Sequence, residues 1–316
     1  MDLRILISNL TNPTLLFFVL GIFASRIKSD LEIPASSAKF ISLYLLFSIG
    51  FNGGRELAHS HFTAEIGWSL LFGVAVSSLI PAYSFFVLKR RLGAENAGAI
   101  AASYGSVSAV TFVAAVSFLD TQQLTFGGHM VAVMALMESP AIIVGVVLMM
   151  MFGGGKHMPI SQIVHHSVTN GSVLMILGSL VIGFIADEKM AVGITPFTTD
   201  IFKGFLAIFL LEMGMVTGSK LTSFLQNGWF AIAFAVLAPL INGSAAAISS
   251  HLISADPGNR FMFAVLAASA SYIAVPAAMR LAAPKADPGL YIPMALAVTF
   301  PLNITVGMPL YFMLAS

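Results

Sequence analysis

Ala101-Ala-Ser-Tyr-Gly-Ser-Val-Ser-Ala-Val-Thr111 interrupts an apolar run with small, hydroxyl-bearing residues and a glycine. Ala267-Ala-Ser-Ala-Ser-Tyr-Ile-Ala-Val-Pro276 does the same in the second half of the chain. Gly105 and Pro276 weaken regular helix. In lipid, irregular backbone is tolerated only where it is buried in protein or lines a cavity. Each stretch therefore predicts a membrane helix broken midway and turned toward an interior space.

The surrounding composition requires a membrane. The chain has 316 residues, 58% hydrophobic and 9% charged, far more apolar than a soluble domain. A span takes about 20 apolar residues, and with turns roughly 30, so the length suits about ten spans and leaves nothing for a soluble domain. The formal net charge of +1 gives no nucleic-acid footprint and no basic membrane-surface segment. Zero cysteines excludes disulfides and thiol chemistry without fixing a compartment. Leu15 to Ala24 is apolar, but Arg4 is the only basic residue before it, which favours a retained first helix over a signal peptide.

The expected spans in the first half are Leu10 to Ile27, Lys39 to Gly54, Ile66 to Leu88, Asn96 to Leu119 and His129 to Phe152. In the second half they are Val168 to Ala186, Ile201 to Gly218, Gly228 to Ile253, Phe261 to Leu281 and Leu290 to Leu314. The chain divides into a first five-helix repeat over 1–152, a linker over 153–167 that begins with a Gly-rich seam, and a second repeat over 168–316. Lys39 to Leu57 aligns without gaps on Lys203 to Leu221, pairing Gly50 with Gly214 and Gly54 with Gly218. Gly67-Trp68 answers Gly228-Trp229, and Met134-Ala-Leu-Met-Glu-Ser-Pro140 answers Met294-Ala-Leu-Ala-Val-Thr-Phe-Pro301 with one extra residue. An odd number of spans per repeat turns the second copy upside down. The expected fold is thus an all-α polytopic membrane protein with ten transmembrane helices in a five-plus-five inverted repeat, helices four and nine being discontinuous. Ten of the 15 Lys and Arg residues fall in loops after the odd-numbered spans, the Lys89-Arg90-Arg91 cluster among them. Both termini are therefore expected outside and the central loop in the cytoplasm.

Paired interruptions at matching places in two repeats are the sequence mark of a transporter's binding site. The ends of a broken helix carry partial positive charge on their N–H groups, which suits an anion, while hydroxyl and carbonyl oxygens suit a hard cation such as Na+. Ser103, Ser106, Ser108 and Thr111 supply hydroxyls in one break, and Ser269 and Ser271 in the other. Thr299 and Asn303 flank Pro301 in the last span and add oxygens. Close helix packing by small residues is the competing account, and it does not explain why the interruptions recur in both repeats.

Two carboxylates fall inside the expected spans, and each needs a reason at that depth. For Glu138 a cation or proton site competes with a structural hydrogen bond, and the neighbouring Ser139 and the carbonyl freed by Pro140 favour the site. Glu212 aligns with Ser48, and a structural or interface role suits it at least as well. No Lys or Arg lies in mid-span, so dipoles and hydroxyls would hold a small singly charged anion better than a phosphate or dicarboxylate. His59, His61, His165 and His166 lie in loops, and neither HExxH nor GxxxxGK[ST] occurs. Zinc-protease and ATP-driven readings lack support, no transition metal is expected, and the chain does not read as an enzyme. A coupled secondary transporter remains, with a Na+- or proton-coupled carrier of another small anion such as a monocarboxylate as one alternative and a passive anion channel as another.

Over nearly its whole length the chain resembles the SbtA-type sodium-dependent bicarbonate transporters. The resemblance is carried by Ser103-Tyr-Gly-Ser-Val-Ser-Ala-Val-Thr-Phe112, Met134-Ala-Leu-Met-Glu-Ser-Pro-Ala-Ile-Ile143, Ala267 through Arg280, Thr299-Phe-Pro301 and Pro309-Leu-Tyr311. It implies a bacterial inner-membrane protein, a homotrimer, and symport of bicarbonate with Na+ into the cell, without an organic cofactor. Carried over, bicarbonate would lie at Ser103, Tyr104, Gly105, Ser106, Ala270 and Ser271. Sodium would be held by Ser108, Thr111, Glu138, Ser269, Thr299 and Asn303. The central segment, about Gly153 to Ser167, is shorter than in that family's cyanobacterial members, which argues against partnership with their PII-like regulator.

Overall fold

Three helices begin with the same local device. Asn12, Asp256 and Asp287 each accept a hydrogen bond from a backbone N–H two or three residues on, at 2.9, 2.8 and 2.8 Å. Proline follows each cap at the first helical position, where its missing N–H is no loss and its fixed φ suits the helix.

A computed structural model describes residues 11–60, 63–153, 161, 165, 169, 171–224, 228–272 and 274–316, and among them all regular structure is helical. The first half holds α1 (Pro13–Arg26), α2 (Ala35–His59), α3 (Ala64–Gly105), α4 (Ala109–Thr121) and α5 (His129–Gly153). The second holds α6 (Gly171–Ile185), the short α7 (Glu188–Val192), α8 (Phe202–Phe224), α9 (Trp229–Ser249), α10 (Pro257–Ala268) and α11 (Ala274–Ala282). The last helix, α12 (Pro288–Ala315), contains two π-helical stretches, Met294–Thr299 and Asn303–Gly307. Arg4, Leu10, His61, Lys156, His166, Val168 and most of the 153–167 linker lie outside the described residues.

Five stretches are long and apolar enough to cross a bilayer: Ala64–Thr121, His129–Gly153, Pro196–Leu221, Trp229–Leu252 and Pro288–Ala315. With the shorter apolar helices α1 and α6, they make this a multi-pass membrane protein. Trp68 and Trp229, which answer each other in the two halves, are both exposed, as interfacial anchors are.

Two element boundaries differ from the sequence expectation. The third span and the first part of the fourth meet at a kink and not at a longer loop: within α3 the helix breaks at Gly93, whose φ of 78° lies in the left-handed region that glycine tolerates, and resumes as far as Gly105. Pro276 does not cause the second break. It occupies the first turn of α11, where no intrahelical N–H bond is lost, and the helix has already ended at Ala268.

The packing divides the helices into two groups. In one, α1 packs on α8 and α2 on α6. In the other, α3 packs on α5, and α9 packs on α10 and α12. The first group is held by glycine contacts that bring backbones together. A Cβ on Gly214 would lie 3.0 Å from the Cα of Gly21 and from the nitrogen of Ile22, and one on Gly54 would lie 2.8 Å from the nitrogen of Phe184. Gly50 meets Ile176 and Ser179 of α6, and Gly218 meets Ile22 and Ser25 of α1. The aligned pairs Gly50/Gly214 and Gly54/Gly218 thus do equivalent work, each seating its helix on a helix from the other half of the chain.

Candidate functional site

Both broken helices end in the same way. Ser106 and Ser269 each follow the last helical residue in an extended conformation, with φ/ψ of −80°/172° and −79°/164°. The chain then crosses Val107 and Ser108 to α4, and runs from Ala270 toward α11. Ser108 restarts the helix as its N-cap, its Oγ accepting from the Thr111 N–H at 3.2 Å.

The two breaks are tied to each other. The Ser271 N–H donates to the Ser103 carbonyl at 2.8 Å. The Ser108 N–H donates to Ser269 Oγ at 3.0 Å, and that hydroxyl donates on to the Leu266 carbonyl at 2.9 Å. All of these groups are buried. Gly105 is needed for close approach: a Cβ there would meet Pro81 Cγ at 2.8 Å and Ala141 at 3.1 Å.

The crossing also contains groups that lack partners. Ser103 Oγ and Ser106 Oγ are buried without a hydrogen-bond partner. Buried polar atoms are normally paired, so two orphaned hydroxyls at one place mark a space for a ligand or ordered water. Glu138, only 8% exposed, makes no hydrogen bond or ion pair among the described residues. With Ser108, Ser271 and Tyr272 it lines a small cleft of about 20 Å³, bounded also by Ser42 of α2 and Ser172 of α6. The donor set, a carboxylate and hydroxyl oxygens beside the start of α4, fits a hard monovalent cation, and the helix start fits a small anion.

Thr299 and Asn303 occupy a different position from the cleft. Pro239 has no N–H for the Ala235 carbonyl one turn back, and Thr299 Oγ1 supplies that hydrogen bond at 2.8 Å. Tyr104 donates in turn to Thr299 Oγ1 at 2.7 Å. Asn303 Nδ2 donates to the Ala268 carbonyl, the last of α10, at 2.8 Å, while the Tyr311 hydroxyl lies 3.0 Å from both Asn303 Oδ1 and the Pro239 carbonyl. Both residues therefore fasten the broken helix α10 and its neighbour α9 to α12. Each retains acceptor capacity on its oxygen.

Sequence reading missed Tyr272, Ser42 and Ser172. Tyr272 carried a signal, since it directly follows Ser271; the two serines come from distant helices and carried none. A second, wider cleft of about 420 Å³ lies toward the other end of α2, lined by Glu56, Asp120, Asp200 and Lys203 among others. None of the residues at the crossing lines it.

A family model for the Na+-dependent bicarbonate transporter superfamily matches residues 13–316. The chain belongs to that superfamily. Among curated proteins none matches it. As a member of the Na+-dependent bicarbonate transporter superfamily, the protein has Na+ as its coupling ion, and the match runs through both breaks, Glu138 and the C-terminal α12.

Proposed function

We propose that the protein is a symporter that carries bicarbonate into the cell with Na+, built as two inverted five-helix repeats with the substrate site where the fourth and ninth spans break and cross. The observation that carries this is the stitched crossing, in which Ser271 bonds Ser103, Ser108 bonds Ser269, and two hydroxyls and a carboxylate remain unpaired. The two-fold relation is supported by the reciprocal glycine contacts of α2 on α6 and α8 on α1, and by the matching ends of α3 and α10.

Sodium binds in this reading among Ser108, Thr111, Glu138 and Ser269, with the remaining oxygens of Thr299 and Asn303 behind them. Bicarbonate then lies against the helix starts, between Ser103, Tyr104, Gly105 and Ser106 on one side and Ala270 and Ser271 on the other. A cation in an oxygen-rich site raises the affinity for the anion, and linkage makes the effect mutual. Alternating access is a movement of the α1/α2/α6/α8 group against the other, since the cleft at Glu138 is bounded by residues of both. With both termini outside, this cleft opens toward the cytoplasm of a bacterial inner membrane. The assembly is taken as a homotrimer, and the short 153–167 linker speaks against a PII-like regulator.

Uptake of labelled bicarbonate into proteoliposomes tests the reading. Accumulation driven by an inward Na+ gradient is expected; uptake indifferent to Na+ overturns it. Competition by monocarboxylates would reassign the anion, and non-saturating current without counterflow would mark a channel.

A further inference from the structure

Glu212 sits in the middle of α8, at the depth where an ionised carboxylate requires compensation. Its Oε2 is buried without a hydrogen-bond partner, and no ion pair reaches it among the described residues. The adjacent Met213 reaches a residue of the cleft: its sulfur lies 3.6 Å from the hydroxyl of Tyr272, which lines the cleft and interacts electrostatically with Glu212. Glu212 is therefore coupled to the crossing through Tyr272 from the opposite helix group, while Glu138 lines the cleft itself.

The charge count then has a consequence. One intramembrane carboxylate lines the cleft and a second is coupled to it through Tyr272, and among the described residues neither has a cationic partner. Helix starts compensate a bound anion, but each carboxylate still calls for a cation of its own. We propose that Glu212 is the carboxylate of a second monovalent-cation site, so that two cations accompany each bicarbonate and transport carries one net positive charge inward. The proposal rests on the Na+-bicarbonate symport reading and adds stoichiometry and voltage dependence to it.

The test is labelled bicarbonate uptake into proteoliposomes under a fixed Na+ gradient, with the membrane potential clamped at zero or at about 100 mV inside-negative. One net charge raises the limiting accumulation about 50-fold per 100 mV. Glu212→Gln is expected to abolish that voltage dependence while keeping the Na+ requirement, and Glu212→Asp, which keeps the charge, to retain both. Parallel counting of labelled Na+ against labelled bicarbonate distinguishes the cation: a ratio of two places Na+ at Glu212, and a ratio of one with net charge movement places a proton there. Wild-type uptake that requires Na+ but ignores voltage overturns the second site and leaves the symport reading standing. Voltage dependence that survives in Glu212→Gln overturns it as well. Should Glu212→Gln fail to fold, the wild-type charge count and Glu212→Asp decide on the same criteria. Uptake without any Na+ requirement sinks the symport reading and this proposal together.

Discussion

Thr299 donates to the Ala235 carbonyl because Pro239, one helical turn on, has no N–H to offer it. Thr299→Val removes that donor and also the acceptor of the Tyr104 hydroxyl. Leaving buried groups unpaired costs about 1–3 kcal/mol, read as a lower melting temperature in detergent, whereas Thr299→Ser keeps the hydroxyl and most of the stability. In a Pro239→Ala background the carbonyl regains its own N–H, so the same Thr299→Val change should cost less. Equal penalties in the two backgrounds would refute the account.

Ser269 is the only described acceptor for the Ser108 N–H across the crossing. Ser269→Ala leaves that N–H buried and unpaired, again worth about 1–3 kcal/mol. It also releases the start of α4 from the other break. Apparent affinities for Na+ and for bicarbonate should both fall, by more than Ser249→Ala, a half-buried serine on α9 away from the crossing, lowers either.

Glu138→Gln keeps the shape of the cleft and removes its charge. Apparent Na+ affinity measured by uptake is expected to drop by about tenfold or more, the scale of one lost charge-assisted contact. An unchanged Na+ activation curve would return Glu138 to a structural role.

Gly54→Ala and Gly214→Ala push a methyl group into the backbone of the facing helix and should each destabilise by about 1–3 kcal/mol through overpacking. Gly67→Ala faces open space and should be neutral or stabilising by up to about 1 kcal/mol. Thermal melts of the three variants side by side make the comparison.

The breaks were legible because each is a local violation of an apolar helical pattern, and the Lys39/Lys203 alignment pairs the glycines, Gly50 with Gly214 and Gly54 with Gly218, that the fold uses in its seams. Register at the crossing was not. The shared Ala-Ala-Ser brings Ser103 opposite Ser269 in sequence, while the backbone makes Ser106 and Ser269 the equivalent ends. Pro276 was read as a breaker because position within a helix, which decides whether a proline disrupts it, is not visible beforehand. The fastening roles of Thr299 and Asn303 depend on carbonyls of α9 and α10 that lie 64 and 35 residues away. Such partners leave no local trace in the chain.

His59, at the exposed end of α2, lies 3.4 Å from Glu188 of α7. The Arg55 carbonyl beside its ring and then Glu188 hold its pKa above the usual histidine value. The pair is therefore fully formed below pH 6.5 and is lost as pH rises through the elevated value. Amide protection in α7, taken relative to the intrinsic exchange rate at each pH, should be greater at pH 6 than at pH 8.5, and Glu188→Gln should erase that difference in protection. An unaltered pH dependence in that variant would assign it elsewhere.

The seams that seat α2 on α6 and α1 on α8 bear on biogenesis. Each joins one half of the protein to the other, and α2 ends at His59 while α6 begins only at Gly171. At about 5–20 residues per second the ribosome needs roughly 6–22 seconds to deliver the missing partner. During that interval the glycine face of α2 waits in the bilayer, against lipid or the insertion machinery. The first half alone is thus a membrane-inserted intermediate without its native mate, and the two halves must complete each other before either helix pair exists.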